Sequence, residues 1–508
     1  LTGAADENGH VIADADSGLI TIEGVLSGQD NTLNADVDVS IGGIVSKDGA
    51  AYEAANKVTA LTGDIAIGEE GIVGSSNVLS ATNGKITVTG AIEGNSNDLD
   101  AKLNIETGSI TGDDNMLTST EGSITTGAIT GDGNMLTSEE GAIATGAIDG
   151  ASNILDANGD ITVDGSITGD SNVLNSETGS ITTGAIVGAS NILDANGDIT
   201  VDGSITGDSN VLNSEEGAIT TGAIVGNSND LDAVDSITVN GDIDGSANDL
   251  DATGNITVHG SIITGGLNEE TGNKLTSAEG SITVEDGISG HFNDLNAKLD
   301  IVTGPISGNS NTLTSWNDSI TVGADDAGNG IGGSNNVLTA EDATNGSITV
   351  DGAIAGNDNT LTAGTTISTG DISGIANVLT AGESIETGAI TGGQNKLTAG
   401  TTITTKGDIS SFSNTLIAQG DITVEGNVSG TGHSLTSVDG DVIISEQLGG
   451  TTNQVKGETI DIGSVTGNNQ TVLSYGAGLS PDDVAIHIGE FNAQGSTVAI
   501  ATGTDPVM

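Results

Sequence analysis

The stretch Asn153-Ile-Leu-Asp-Ala-Asn-Gly-Asp-Ile-Thr-Val-Asp-Gly-Ser-Ile-Thr-Gly-Asp-Ser171 holds three short apolar blocks. They are Asn153 to Ala157, Ile161 to Val163 and Ser166 to Thr168, separated by Gly159 and Gly165 and closed by Gly169. Blocks of three to five β-formers bounded by Gly, Asp and Asn read as strands, and no segment has a helical period. Alternation places Asn153, Leu155, Ile161 and Val163 inside, and Ile154, Asp156 and Thr162 outside.

The same pattern recurs. Asn-x-Leu appears with its Asn at 115, 134, 153, 172, 191, 210, 229 and 248, each step being 19 residues. It appears earlier at Asn31, Asn77 and Asn97, and later at Asn293, Asn311, Asn336, Asn359, Asn377, Asn395 and Asn414. His433 and Asn453 continue the series. A fixed period near 20 is the signature of a solenoid. Residues 153–190 and 191–228 match at 35 of 38 positions, which marks a duplication. The fold expected is all-β: a three-sided parallel β-solenoid with 19-residue coils and an internal Asn ladder.

Spacing supports the ladder. From Asn to first Ile, second Ile and next Asn, one kind of coil runs 8 + 6 + 5 (Asn153, Ile161, Ile167, Asn172). The next runs 9 + 5 + 5 (Asn172, Ile181, Ile186, Asn191). A residue gained at one corner is lost at another, as required if inward Asn side chains stack about 4.8 Å apart. The 80 Gly amount to about three per coil, one for each corner, where φ > 0 is often needed.

The period divides the chain into a solenoid over 1–435 and a degenerate remainder over 436–508, in which Asp482–Thr504 reads as two strands of another kind. Insertions are expected near 44–70, 264–280 and 323–335. The terminal parts are expected to cap the solenoid or to dock the next molecule. About 24 coils would make a rod roughly 11–12 nm long.

The 508 residues include 71 acids and 9 bases, for a net charge of −62, and every base is Lys. No basic footprint exists for nucleic acid. With six aromatics and no Cys, stacked-ring sugar sites, zinc fingers and disulfide scaffolds are not expected. No apolar run reaches a membrane span. The acidic, Cys-free chain with few tryptic sites, beginning at Leu1 rather than Met, fits a processed extracellular protein.

Like charges stacked about 4.8 Å apart cost roughly 0.9 kcal/mol even in water. The sequence alternates them: two residues before the Asn it reads Asp132, Ala151, Asp170, Ala189, Asp208, Asn227. Three after the Asn it reads Asp156, Asn175, Asp194, Asn213, Asp232. The exception is Asp230 and Asp232 followed one coil on by Asp249 and Asp251. Two readings stand side by side there, a solvated acidic patch and a Ca²⁺ site made of four hard oxygen donors.

No catalytic constellation emerges. The five His (10, 259, 291, 433, 487) are scattered, with His433 in the place of a ladder Asn, and no Ser or Thr is tied to a His by spacing. The chain is not expected to be an enzyme. Sequons at Asn255, Asn317, Asn345, Asn427 and Asn469 offer sites for glycans. An ice-binding face needs paired outward Thr. The rank after the second Ile reads Thr130, Asp149, Thr168, Val187, Thr206, Val225 and is too mixed for it.

Gly-x-Ile-Thr-Val, Gly-x-Ile-x-Gly and Asn-x-Leu over about 12–435 resemble the β-helical repeats of filamentous-haemagglutinin-type adhesins. In composition and Asn ladders the chain also resembles amyloid-like tubular sheath proteins of methanogenic archaea. The resemblance implies extracellular structure or adhesion. Two functions follow as expectations: a homopolymer forming a sheath, filament or surface layer, or an adhesin stalk presenting its inserted loops.

Overall fold

The computed structural model describes residues 4–5, 11–28, 30–45, 56–264, 271–476 and 484–500. The chain is an all-β parallel β-solenoid, and among the described residues no helix is long and apolar enough to cross a membrane. Contacts divide it into two units, Leu1–Asn240 with Asn248–Leu250, and Gly241–Ala247 with Asp251–Met508.

In the first unit a regular coil has three strands, here Ile154–Ala157, Ile161–Val163 and Ile167–Thr168. Each pairs in parallel with its equivalents in the coils before and after. Leu155 lies between Leu136 and Leu174, Ile161 between Ile143 and Ile181, and Ile167 between Ile148 and Ile186. The unequal spacings are therefore absorbed at the corners while every inward residue keeps its register. Leu155, Ile161 and Ile167 are fully buried, and Val163 is 2% exposed. In the first coils the second and third sides merge into one longer strand, Ile20–Ser27 and then Val39–Val45, with a register shift between Ile22 and Val25.

The second unit has a Leu column of its own, from Leu275 through Leu295, Leu313 and Leu338 to Leu435, Val455 and Val472. Its third side narrows to isolated bridges such as Ile354↔Ile372↔Ile390↔Ile409. The expectation of strands of another kind after Asp482 is corrected. Ile486–Phe491 and Thr497–Ile500 pair in parallel with Ile460–Val465 and Thr471–Ser474, as further coils of the same solenoid.

Of the expected insertions, 46–55 and 265–270 lie outside the described residues. The third is a turn over 323–328. There the Asp325 carboxylate accepts the Ala327 and Asn329 N–H groups, and the chain returns through the strand Asn329–Ile331. Those bonds, that from Asn329 first, hold the Asp325 carboxyl below its ordinary pKa. A further excursion, 341–346, is closed the same way by Asp342.

The corners bear out the reading of glycine in part: Gly131, Gly150 and Gly169 have φ between 128° and 153°. Among the described residues the one just before a ladder Asn is left-handed, Gly272 excepted, and most often it is Ser. From Asp114 to Ser228 these residues have φ between 55° and 68°. A non-Gly residue there costs of order 1 kcal/mol, which the bonds around the corner must outweigh. Three residues before the Asn stands a glycine, of positive φ from Gly94 to Gly245, that also permits close approach. A Cβ at Gly150 would lie 2.0 Å from the Gly131 carbonyl oxygen, and one at Gly356 would lie 1.7 Å from that of Gly333. The corner signature is thus Gly-x-x-Asn-x-Leu, with the left-handed turn carried by the second x.

Candidate functional site

The inward Asn side chains form a ladder in each unit. Asn172 shows the pattern: its backbone N–H and its Nδ2 both donate to Asn191 Oδ1, at 3.0 and 3.1 Å. The remaining Nδ2 hydrogen reaches the carbonyls of Gly150 and Gly169. Its own Oδ1 accepts the equivalent pair from Asn153. Every polar atom of a fully buried amide is thereby satisfied. The chain of amides runs from Asn31 through Asn97, Asn134 and Asn210 to Asn248 in the first unit. In the second it runs from Asn293 through Asn336 and Asn377 to Asn414.

His433 takes the next rung, fully buried. Its Nδ1 accepts the Asn414 N–H at 3.2 Å and its Nε2 lies 2.7 Å from the Ser429 carbonyl. These contacts fix the neutral Nε2–H tautomer. Burial pushes the imidazole pKa below its ordinary value, and the Ser429 bond offsets this only in part. Two rungs escaped the sequence reading, Asn56 and Gln470, both fully buried or nearly so. Asn56-Lys-Val58 and Gln470-Thr-Val472 carry the signal with Val in place of Leu. The Asn56 Nδ2 donates to Asn77 Oδ1, and Asn453 donates its N–H to Gln470 Oε1.

Outside the core, the alternating acids do more than avoid one another. The Ala151, Ala189 and Asn227 N–H groups donate to the carboxylates of Asp132, Asp170 and Asp208 in the preceding coil, at 2.6–2.7 Å. Asn175 and Asn213 donate Nδ2 to Asp156 and Asp194. The same corner bond recurs at Asp64, Asp160, Asp242, Asp371 and Asp421. These eight carboxylates thus terminate backbone donors at corners as well as carrying charge.

The four carboxylates read as a calcium site lie on the outward positions of two strands. Asp230 and Asp232 are exposed on Asp230–Ala233, while Asp249 and Asp251 are half-buried on Asp249–Ala252. Among the described residues no group of three or more His, Cys, Asp or Glu is placed to hold a metal ion. Of the other His, His259 and His487 form exposed pairs with Glu285 and Asp461, at 2.9 and 2.7 Å, and His291 Nδ1 accepts the Asn309 N–H. His10 lies outside the described residues. Among the sequons, Asn255 and Asn427 use their side chains between coils, whereas Asn317 and Asn345 stand exposed.

One groove of about 400 Å³ opens in the second unit, lined by Thr276, Asn296, Lys298, Trp316 and Asn317 among others. Trp316, the chain's single Trp, is 48% exposed, and its indole N–H donates to Asn296. Lys298 is paired with Glu279.

No family model, curated protein or solved structure matches this chain. The likeness to sheath proteins and adhesins thus stands on the repeat pattern alone.

Proposed function

We propose that the chain is a self-assembling extracellular structural protein, a component of a sheath, filament or surface layer, without enzymatic activity. The observation that carries this reading is the ladder. Each coil spends its buried polar groups on binding the next coil, so the residues under the strongest physical constraint serve stacking rather than a pocket. The composition agrees. A Cys-free chain with no Arg and few Lys depends on no redox environment and offers few tryptic sites. Its carboxylates remain hydrated at the surface while bonding the corners.

Electron microscopy of purified protein over a range of salt and calcium tests the proposal. Ordered fibres, tubes or layers are expected; a chain that stays single under every condition sinks it. A second reading, an adhesin stalk, is favoured by the Trp316 groove, where an exposed indole lies among polar side chains. Because Trp316 is the single Trp, its fluorescence reports directly on that groove. Saturable change with a glycan, in a chain that does not assemble, would favour the stalk.

A further inference from the structure

On the Asn side of each coil two residues point outward, one and three positions after the ladder side chain. In the second unit seven successive strands, Thr312–Ser315, Val337–Ala340, Thr360–Ala363, Val378–Ala381, Lys396–Ala399, Thr415–Ala418 and Ser434–Ser437, pair in strict register. Their first outward rank reads Thr312, Val337, Thr360, Val378, Lys396, Thr415, Ser434. The second reads Thr314, Thr339, Thr362, Thr380, Thr398, Ile417, Thr436. None of the fourteen is an acid. In a chain of net charge −62 this is a marked departure. The same two positions hold Asp98, Asp100, Asp156 and Asp194 in the first unit, and Asp294 earlier in the second. Beside the strands the corner residues are Gly364, Gly382 and Gly400 at three successive coils, with Trp316 and the 341–346 excursion bordering the face before them.

We infer that this Thr/Val face is the surface through which a second copy of the chain packs laterally, face to face. The inference rests on the assembly reading above and names its interface. Charge selects the occupant. Copies at −62 repel one another, and approach through any acid-bearing face sets carboxylates against carboxylates in low dielectric. The Thr/Val face avoids that cost, and its flat β-branched ranks suit the packing of sheet on sheet at about 10 Å.

Size sets how the contact operates. Seven strands of four residues cover about 29 by 13 Å, roughly 400 Å². A standard stable interface buries about 800 Å² per partner. One such contact therefore does not hold a pair, and it acts when repeated through an assembly. Frozen water is the less favoured occupant, because Lys396 and Ile417 interrupt the Thr ranks.

The test compares the wild-type chain with the double variant Thr362→Asp/Thr380→Asp, two adjacent residues of the second rank. The control is Thr321→Asp/Thr349→Asp, an equally adjacent pair on the next side of the coil whose strand neighbours, Val302 and Ser368, are also uncharged. Both variants add the same charge and the same intramolecular repulsion, and circular dichroism verifies that both fold. By light scattering and electron microscopy, the first is expected to need at least tenfold more protein for lateral association, and the control to behave as wild type. If both variants associate as wild type, or both fail equally, this interface is wrong while assembly stands. A wild-type chain that never associates overturns assembly and this interface together. An unassembled chain that shapes growing ice crystals overturns it in favour of water.

Discussion

A single ladder Asn answers for several bonds at once. Replacing Asn191 by Ala strands the N–H and Nδ2 of Asn172 and removes the Nδ2 donor to Asn210, whose Oδ1 keeps only the backbone N–H of residue 191. Each buried donor left unmade costs about 1–3 kcal/mol. A loss of about 3–5 kcal/mol is expected in denaturant titration, concentrated in the coils around 172–210. The opposite sign is expected at Thr221. Its buried hydroxyl has no hydrogen-bond partner, and it stacks between Val201 and Val239. Thr221→Val removes an unpaid desolvation and should stabilise by about 1 kcal/mol. At His433 the folded pKa is lowered, so the unfolded chain binds more protons below the ordinary value of about 6.5. The His433 contribution is present in full above that pH and is lost as pH falls through it toward the folded pKa. His433→Asn should flatten the melting temperature over that window, and an unchanged profile would refute the assignment.

At the scale of the coil, the corners decide what the strands can do. The Asp at the corner accepts an N–H from the next coil, so the alternation with Ala or Asn is a bonding pattern as well as a way to separate charge. This much was half legible. The sequence showed that acids alternate, but only the backbone positions of successive coils showed what each carboxylate holds. The glycine reading failed in part for the same reason. Composition gives one Gly per corner, and many corner glycines do have φ > 0, yet the residue before the ladder Asn is most often a left-handed Ser, and the recurring spacing Gly-x-x-Asn answers to a carbonyl one coil away. The Asp230, Asp232, Asp249 and Asp251 question is also one of neighbouring coils. Calcium binding there predicts a lower melting temperature on chelation with EDTA, and unchanged melting removes it.

For the whole molecule, stability is close to a sum of nearest-neighbour terms. Excising 191–228 would join Ser190 to Asn229 and preserve the 19-residue step, the corner alternation and the rung. The shortened chain is expected to fold with the same circular dichroism per residue and a melting temperature within a few degrees of the parent. Loss of structure would show that coils far apart depend on one another.

The sequence by itself determined the coil. Period, side-chain alternation and the constant 19-residue sum were enough to place Asn inside, because stacked parallel strands admit only one register. Asn56 and Gln470 were harder to see, because a β-branched Val replaces the marker Leu and, at 470, Gln replaces Asn. The sequence could not show that the chain after Asp482 still stacks in parallel, since the local pattern there has faded while the pairing partner lies a whole coil away. The acid-free face is likewise a property of seven segments brought together, each unremarkable alone. What repeats within a coil is written in the order of residues; what a carboxylate, a carbonyl or a bare face meets is decided by the coil stacked beside it.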